Sequence, residues 1–263
     1  MINFSRVKGI LLQELFITRK SLEIFFDIPF FAFTSILLVG FIASYISGSI
    51  GQIGAQYLVL GMILWECLRV TQYTMSVNVL WEVWSRNLSN IFISPITIFE
   101  YFLALILSTI IKILVLNVFL SIISFYMFDF NVLKVGIATL SLVLINLLIF
   151  GWTTGILILG LIFRFGTRIQ SLAWGIIFLF QPFTAALYPV TILPKPIQTF
   201  AFFFPPTYVF EVARQSLSNQ SINWSYINTA FILNIIYFSI SIFVFAHLFK
   251  KSKDTGQFAR NEG

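Results

Sequence analysis

Five stretches of this chain, residues 28–65, 113–128, 135–163, 169–194 and 215–249, contain no Asp, Glu, Lys or Arg. Each is continuously apolar, without the period-two alternation of a membrane β-strand. A helix needs about 20 mainly apolar residues to cross the hydrocarbon core of a bilayer. The pattern predicts an all-α polytopic membrane protein with six transmembrane helices. Their expected limits are about 28–47, 54–79, 98–126, 134–163, 169–188 and 226–249. The turn Ser47-Gly48-Ser49-Ile50-Gly51 separates the first two, and Lys250-Lys251-Ser252-Lys253 ends the last.

Three segments fall outside these spans. Residues 3–26 place Phe4, Val7, Ile10, Leu11, Leu15, Leu22 and Phe25 among Arg6, Lys8, Glu14, Arg19, Lys20 and Glu23. That approximates an apolar stripe with a basic opposite face, as expected of an amphipathic helix in a membrane interface. A simple anchor and a working element fit it equally. The second segment is the loop 81–97, and the third is the stretch 189–225, which is too apolar for a free loop. The expected organisation is an interfacial helix over 1–27, a transmembrane domain over 28–249 and a basic tail over 250–263.

Composition agrees. Of 263 residues, 59% are apolar and 10% charged, and the mean hydropathy is +0.94. A soluble domain carries roughly a quarter charged residues. The net charge of +6 reads as loops facing anionic lipid, with no nucleic-acid partner. With the N-terminus inside, the inner segments hold Arg6, Lys8, Arg19, Lys20, Arg86, Arg164, Arg168, Lys250, Lys251, Lys253 and Arg260. The opposite loops hold only Lys134, Lys195 and Arg214. This asymmetry predicts cytoplasmic termini. Glu14, Glu23 and Asp27 precede the first apolar run, a pattern unlike a cleavable leader.

Several chemistries lack their residues. The chain has one Cys (Cys67) and one His (His247), too few for a disulfide, a zinc site or a Ser-His or Cys-His nucleophile. No Gly-Lys pair occurs, so the phosphate-binding loop of a nucleotide hydrolase is absent from the sequence. No cofactor is expected on this chain. Glu66 and Arg69 share a helix face within the second span, and Lys112 lies within the third. Charges at such depth are costly. They form either a polar patch lining a route, which Lys112 could approach, or a neutral pair holding helices in register. The alternative function they define is an ion-coupled secondary transporter using Glu66, Arg69 and Lys112.

Two motifs carry a resemblance. The first runs from Glu82 to Glu100, with Arg86, Asn87, Leu88, Ser94 and Pro95 ahead of the third span. The second has Tyr188-Pro189, Leu193-Pro194, Pro205-Pro206-Thr207-Tyr208, Glu211 and Arg214. In this order the chain resembles the type-2 family of ATP-binding-cassette export permeases over its whole length. Its loop after the second span departs from that of polysaccharide-exporting members.

The resemblance implies a permease subunit that exports an amphiphile (a lipid, a lipid-linked glycan or a hydrophobic drug). It implies pairing with a second permease subunit as a homodimer in the cell (inner) membrane. The expected partner is a cytoplasmic ATP-binding-cassette ATPase in two copies, which holds ATP and Mg. Loop 81–97 would form the coupling helix, with Trp84, Leu88, Ile91 and Phe92 as an apolar ridge and Glu82 and Arg86 at its rim. Aromatic residues at headgroup depth suit the same spacing. Between spans five and six, the resemblance implies a re-entrant helical hairpin closing the external end of the path, with Tyr188, Pro189, Pro205, Pro206, Tyr208, Glu211 and Arg214 in the gate.

Overall fold

The computed structural model describes residues 2–85, 87 and 93–255, apart from the side chains of Phe25 and Thr167. The described residues are helical with no strand. Asn3 caps α1 (Phe4–Lys20) by accepting from Ser5 N. Ser21 ends α1 and accepts from Ile24 N at 3.4 Å to start α2 (Leu22–Asp27). The single N-terminal element expected over 3–26 is therefore two helices, divided at a serine cap.

The helical run Pro29–Trp84 breaks at Gly51, whose φ of 74° and ψ of 164° leave the helix. Glycine alone adopts that conformation without a Cβ penalty. It divides the run into α3 (29–50) and α4 (52–84), which fold back on each other. Arg69 Nη2 donates to Ile28 O at 3.4 Å, and Tyr73 Oη donates to Asp27 Oδ2 at 2.7 Å. In one straight helix, Ile28 and Arg69 would stand roughly 60 Å apart at the α-helical rise.

Thr97 and Glu100 form a reciprocal capping box that opens α5 (Ile98–Phe128). Asp129, at φ 49°, closes it. Gly136 then leads into α6 (Ile137–Phe165). The short helices α7 (Ser171–Phe183), α8 (Lys195–Ala201) and α9 (Pro205–Leu217) follow, and Asn223 caps the final α10 (Trp224–Asp254). Among the described residues, four helical runs are long and apolar enough to cross a membrane: Leu22–Trp84, Ile98–Phe128, Ile137–Phe165 and Trp224–Asp254.

α4 is the central element. Nearly every residue from Val59 to Leu80 is buried. Gly151 and Gly155 bring α6 close to it, because a Cβ at Gly151 would stand 2.6 Å from Thr71 Cβ. Small residues four apart are a common way for helices to approach in lipid. By contrast, Leu38, Tyr45, Val115, Val118, Ile137 and Phe243 are exposed on the outer surface. In water such a surface would aggregate, whereas against acyl chains it needs no cover.

Of the six expected spans, 169–188 is the one that does not fold as a single long helix. α7 has only 13 residues, about 20 Å at the α-helical rise. Pro182 removes a donor from its last turn, and Ala185 turns the chain left-handed at φ 52°. Ala173 O meets Gln72 and Ser76 near the lower part of α4, whereas Ala186 O lies against Gly61 nearer the Gly51 bend. Residues 184–217 continue from there as short pieces. Tyr237 Oη, roughly 20 Å down α10 from Trp224, donates to Phe203 O at 2.8 Å. At the other end of α9, Ser218 meets Tyr57 near the bend. The turn between α8 and α9 thus packs beside the middle of α10, and the end of α9 packs near the bend.

Candidate functional site

Polar side chains gather at three places in this apolar bundle. The first is on α4. Arg69 Nε and Nη2 both lie 2.7 Å from Glu66 Oε2, and the two residues are 7% and 1% exposed. One turn on, Gln72 Nε2 donates to Ala173 O at 2.9 Å and to Ser76 Oγ at 2.6 Å, tying α7 to α4. With Asp27, Tyr73 and Trp174, Arg69 and Gln72 line a cavity of about 150 Å³ between the start of α3, α4 and α7. Phe31, Ile177 and Phe178 complete its apolar wall.

Lys112 does not join this pair, contrary to the expectation that it could. Its Nζ lies 3.9 Å from Glu14 Oε2 on α1, and the same oxygen accepts from Asn78 Nδ2 at 2.5 Å. The cause is directional. A helical side chain leans toward the N-terminus of its helix, and the long lysine arm on α5 reaches back toward α1. Glu14 is 4% and Lys112 7% exposed. Burial pushes the Glu14 carboxyl up to about 7; Lys112 opposes that rise and the charge of Glu82 adds to it. α1 runs beside α5, with Asn3 N donating to Glu100 Oε1 at 2.7 Å and Arg6 Nη1 to Pro95 O at 2.5 Å.

The third place is the Glu211–Arg214 pair of α9. Arg214 Nη2 binds Glu211 Oε1 at 3.0 Å and Ala185 O at 2.8 Å, while Nη1 donates to Ala186 O at 3.2 Å. Glu211 Oε1 also accepts from Val190 N at 2.7 Å. These contacts satisfy the backbone that follows the end of α7, where carbonyls lack helical partners. Arg214 is buried and Glu211 largely so, with side chains 4% and 13% exposed, so the small value of a fully exposed ion pair does not apply. Tyr188 Oη donates to Pro182 O at 2.8 Å, and Pro189 precedes a single 3₁₀ turn. Pro205 and Pro206 open α9, where their missing N–H groups cost nothing. The Tyr208 ring packs on Phe202 and Tyr226.

Of the residues expected in a coupling element, Arg86, Leu88, Ile91 and Phe92 lie outside the described residues, as does Arg260 of the tail. Glu82 does not face outward as a rim residue: it is 5% exposed and accepts from Asn87 Nδ2 at 2.6 Å and Gln13 Nε2 at 3.4 Å. Trp84 is partly exposed and stacks on Trp174 of α7. Ser94 is partly buried and Pro95 exposed, just before α5.

Sequence reasoning missed Asp27, Gln72, Tyr73, Asn78 and Trp174, and gave Glu14 only a place on the polar face of its helix. For Glu14 a signal existed. It follows Val7 and Ile10 at helical spacing, so a carboxylate occupies the stripe that α1 buries. Among the described residues no group of His, Cys, Asp and Glu is arranged to hold a metal. Compared with protein-family models and with curated proteins, the sequence matches none.

Proposed function

We propose that the chain is the membrane-spanning permease subunit of an exporter driven by a separate ATP-binding-cassette ATPase. What carries the reading is the second motif of the resemblance. Its Glu211 and Arg214 bind the backbone at 185–190, where an apolar helix has stopped short. Non-helical backbone at membrane depth is tolerated only where protein satisfies it. An external gate built from short helices needs that kind of internal partner.

In this reading α3, α4, α5, α6 and α10 are five spans, and α7 with the 184–217 segment is the sixth, its outer half re-entrant. Both termini lie in the cytoplasm. Two copies of the chain form the path, and two ATPase subunits carry ATP and Mg. Closure of the ATPases pushes loop 81–97 and shifts α3, α4 and α7 against one another. The cavity between those three helices is where such a shift would change volume most directly. The amphiphile leaves the cytoplasm or inner leaflet through this path. The ion-coupled alternative loses its three-residue site, since Lys112 pairs with Glu14 and not with Glu66 or Arg69.

The test is on the loop. Replacing Leu88 and Phe92 with Asp is expected to abolish association with the ATPase while membrane insertion stays intact. Unchanged co-purification of an ATPase with that variant removes loop 81–97 from the coupling role.

A further inference from the structure

A second recess lies beside the 150 Å³ cavity, at the end of α4 away from the Gly51 bend. It has a volume of about 520 Å³ and is formed by α2, the last turn of α4 and the first turns of α7. Three tryptophans build its wall. Trp84 and Trp174 stack with centroids 5.8 Å apart and planes 17° from parallel, and Trp81 meets Trp84 edge-on at 5.0 Å. Opposite them, α2 presents Glu23 and Asp27, four residues apart and hence on one helix face. Asp27 and Trp174 line both recesses, so the wide outer one adjoins the narrow inner one.

The charges here run against the rest of the molecule. The chain carries +6 overall, but among the described residues neither recess has an unpaired cation in its lining. Arg69, the one basic lining residue among those described, is held by Glu66 at 2.7 Å. Counting Glu23, Asp27 and Glu66 against Arg69, the site is formally −2. Arg19 and Lys20 are nearby on α1 but outside the lining, and Lys20 sits over the Phe16 ring at 5.1 Å. Among the described residues Glu23 is exposed and makes no ion pair, and Asp27 accepts the Tyr73 hydroxyl through Oδ2.

Aromatic faces combined with carboxylates select for soft organic cations. The same surfaces repel an anion of equal size. We propose that the outer recess binds the cationic head of an amphiphile, a quaternary ammonium, phosphonium or protonated amine. The indole faces and the Glu23 and Asp27 carboxylates hold the charge, and the inner cavity takes the apolar body against Phe31, Ile177 and Phe178. This deepens the exporter reading by naming the class of cargo, and as a cargo site it rests on that reading. The binding itself does not.

The experiment is a tryptophan-fluorescence titration of the purified full chain in nanodiscs with tetraphenylphosphonium and, separately, tetraphenylborate, two ions of the same shape and opposite charge. Saturable quenching by the cation alone is expected, at least tenfold weaker in the Glu23→Gln/Asp27→Asn variant. The Glu23→Gln variant, altered at an exposed residue, provides the same comparison if the double variant does not fold. Displacement of the bound cation by soluble phosphocholine, with none by glycerol phosphate, supports the site and identifies the lipid choline headgroup as its occupant. Displacement by neither supports the site with a free amphiphile as ligand. Saturable binding of both ions alike, or variants that bind as the parent does, overturns the proposal. Because the chain is assayed alone, that failure would leave ATPase partnership standing, and a missing ATPase would leave the cation site standing.

Discussion

Arg214 offers the sharpest test of how this fold tolerates broken helix inside an apolar bundle. Replacing it with Met keeps much of the volume and removes every donor. Ala185 O and Ala186 O lose this side-chain donor, and Glu211 Oε1 loses its cation while keeping the bond from Val190 N. Removing one member of a buried ion pair costs about 3–5 kcal/mol, because the remaining charge stays buried. Stranded carbonyls add about 1–3 kcal/mol each where they cannot reach solvent. These terms overlap, since all report one guanidinium, so the expected loss is about 4–6 kcal/mol. For a protein of this size, roughly 2–4 °C of melting temperature accompanies each kcal/mol, which places the drop at about 10–20 °C. The assay is thermal unfolding in mild detergent, read by intrinsic fluorescence and by monodispersity on a sizing column. Glu211→Gln in the Arg214→Met background should cost far less than it does alone, because the amide still accepts from Val190 N and leaves no stranded charge. The coupling between the two positions should be about 1–3 kcal/mol. A melting point within about 2 °C of the parent for Arg214→Met would refute the reasoning, as would additive effects of the two changes.

Other consequences follow from the same contacts. An acid whose folded pKa is raised contributes stability below its ordinary value of 4.5 and loses it as pH rises through the folded value near 7. Stability should therefore fall between about pH 4.5 and 7 by up to about 3 kcal/mol from this group. Glu14→Gln should flatten that slope in pH-dependent melts; a slope equal to the parent's would contradict the placement of Glu14. A Cβ at Gly61 would collide with the Ala186 carbonyl, which is backbone and cannot swing away. Gly61→Ala should cost about 1–3 kcal/mol of stability, the usual range for overpacking, and a neutral substitution would mean that the 184–188 segment yields freely. Glu66→Gln should lower protein stability with activity per folded molecule retained, because Glu66 serves Arg69. Selective loss of transport at normal protein level would instead assign the carboxylate a transport role.

The long helices were legible because their signals are local. Charge-free runs mark α5, α6 and α10, Thr97 and Glu100 write the capping box into the sequence, and Gly51 closes the predicted turn. The fifth expected span was misleading for a nonlocal reason. Residues 169–188 read as one helix, but the chain leaves it after Phe183, and the guanidinium that satisfies the broken backbone comes from a residue 29 positions beyond Ala185. Pro182 was a local hint, though a proline in a last turn does not by itself say where the chain goes next. Lys112 was placed correctly on its helix and given the wrong partner, because hydrophobic periodicity fixes a face and not the reach of a long side chain. The meeting of Asp27, Tyr73, Gln72 and Trp174 depends on how α2, α4 and α7 pack, and no spacing within one helix encodes that.

Affinity purification of the full chain in mild detergent from its native cells, with identification of stoichiometric partners, tests the exporter reading most directly. The account predicts recovery of a soluble ATPase that bears a nucleotide-binding loop, bound in equal number to the permease chains. Recovery of the chain without any ATPase, under conditions that keep other transporter complexes whole, would contradict it.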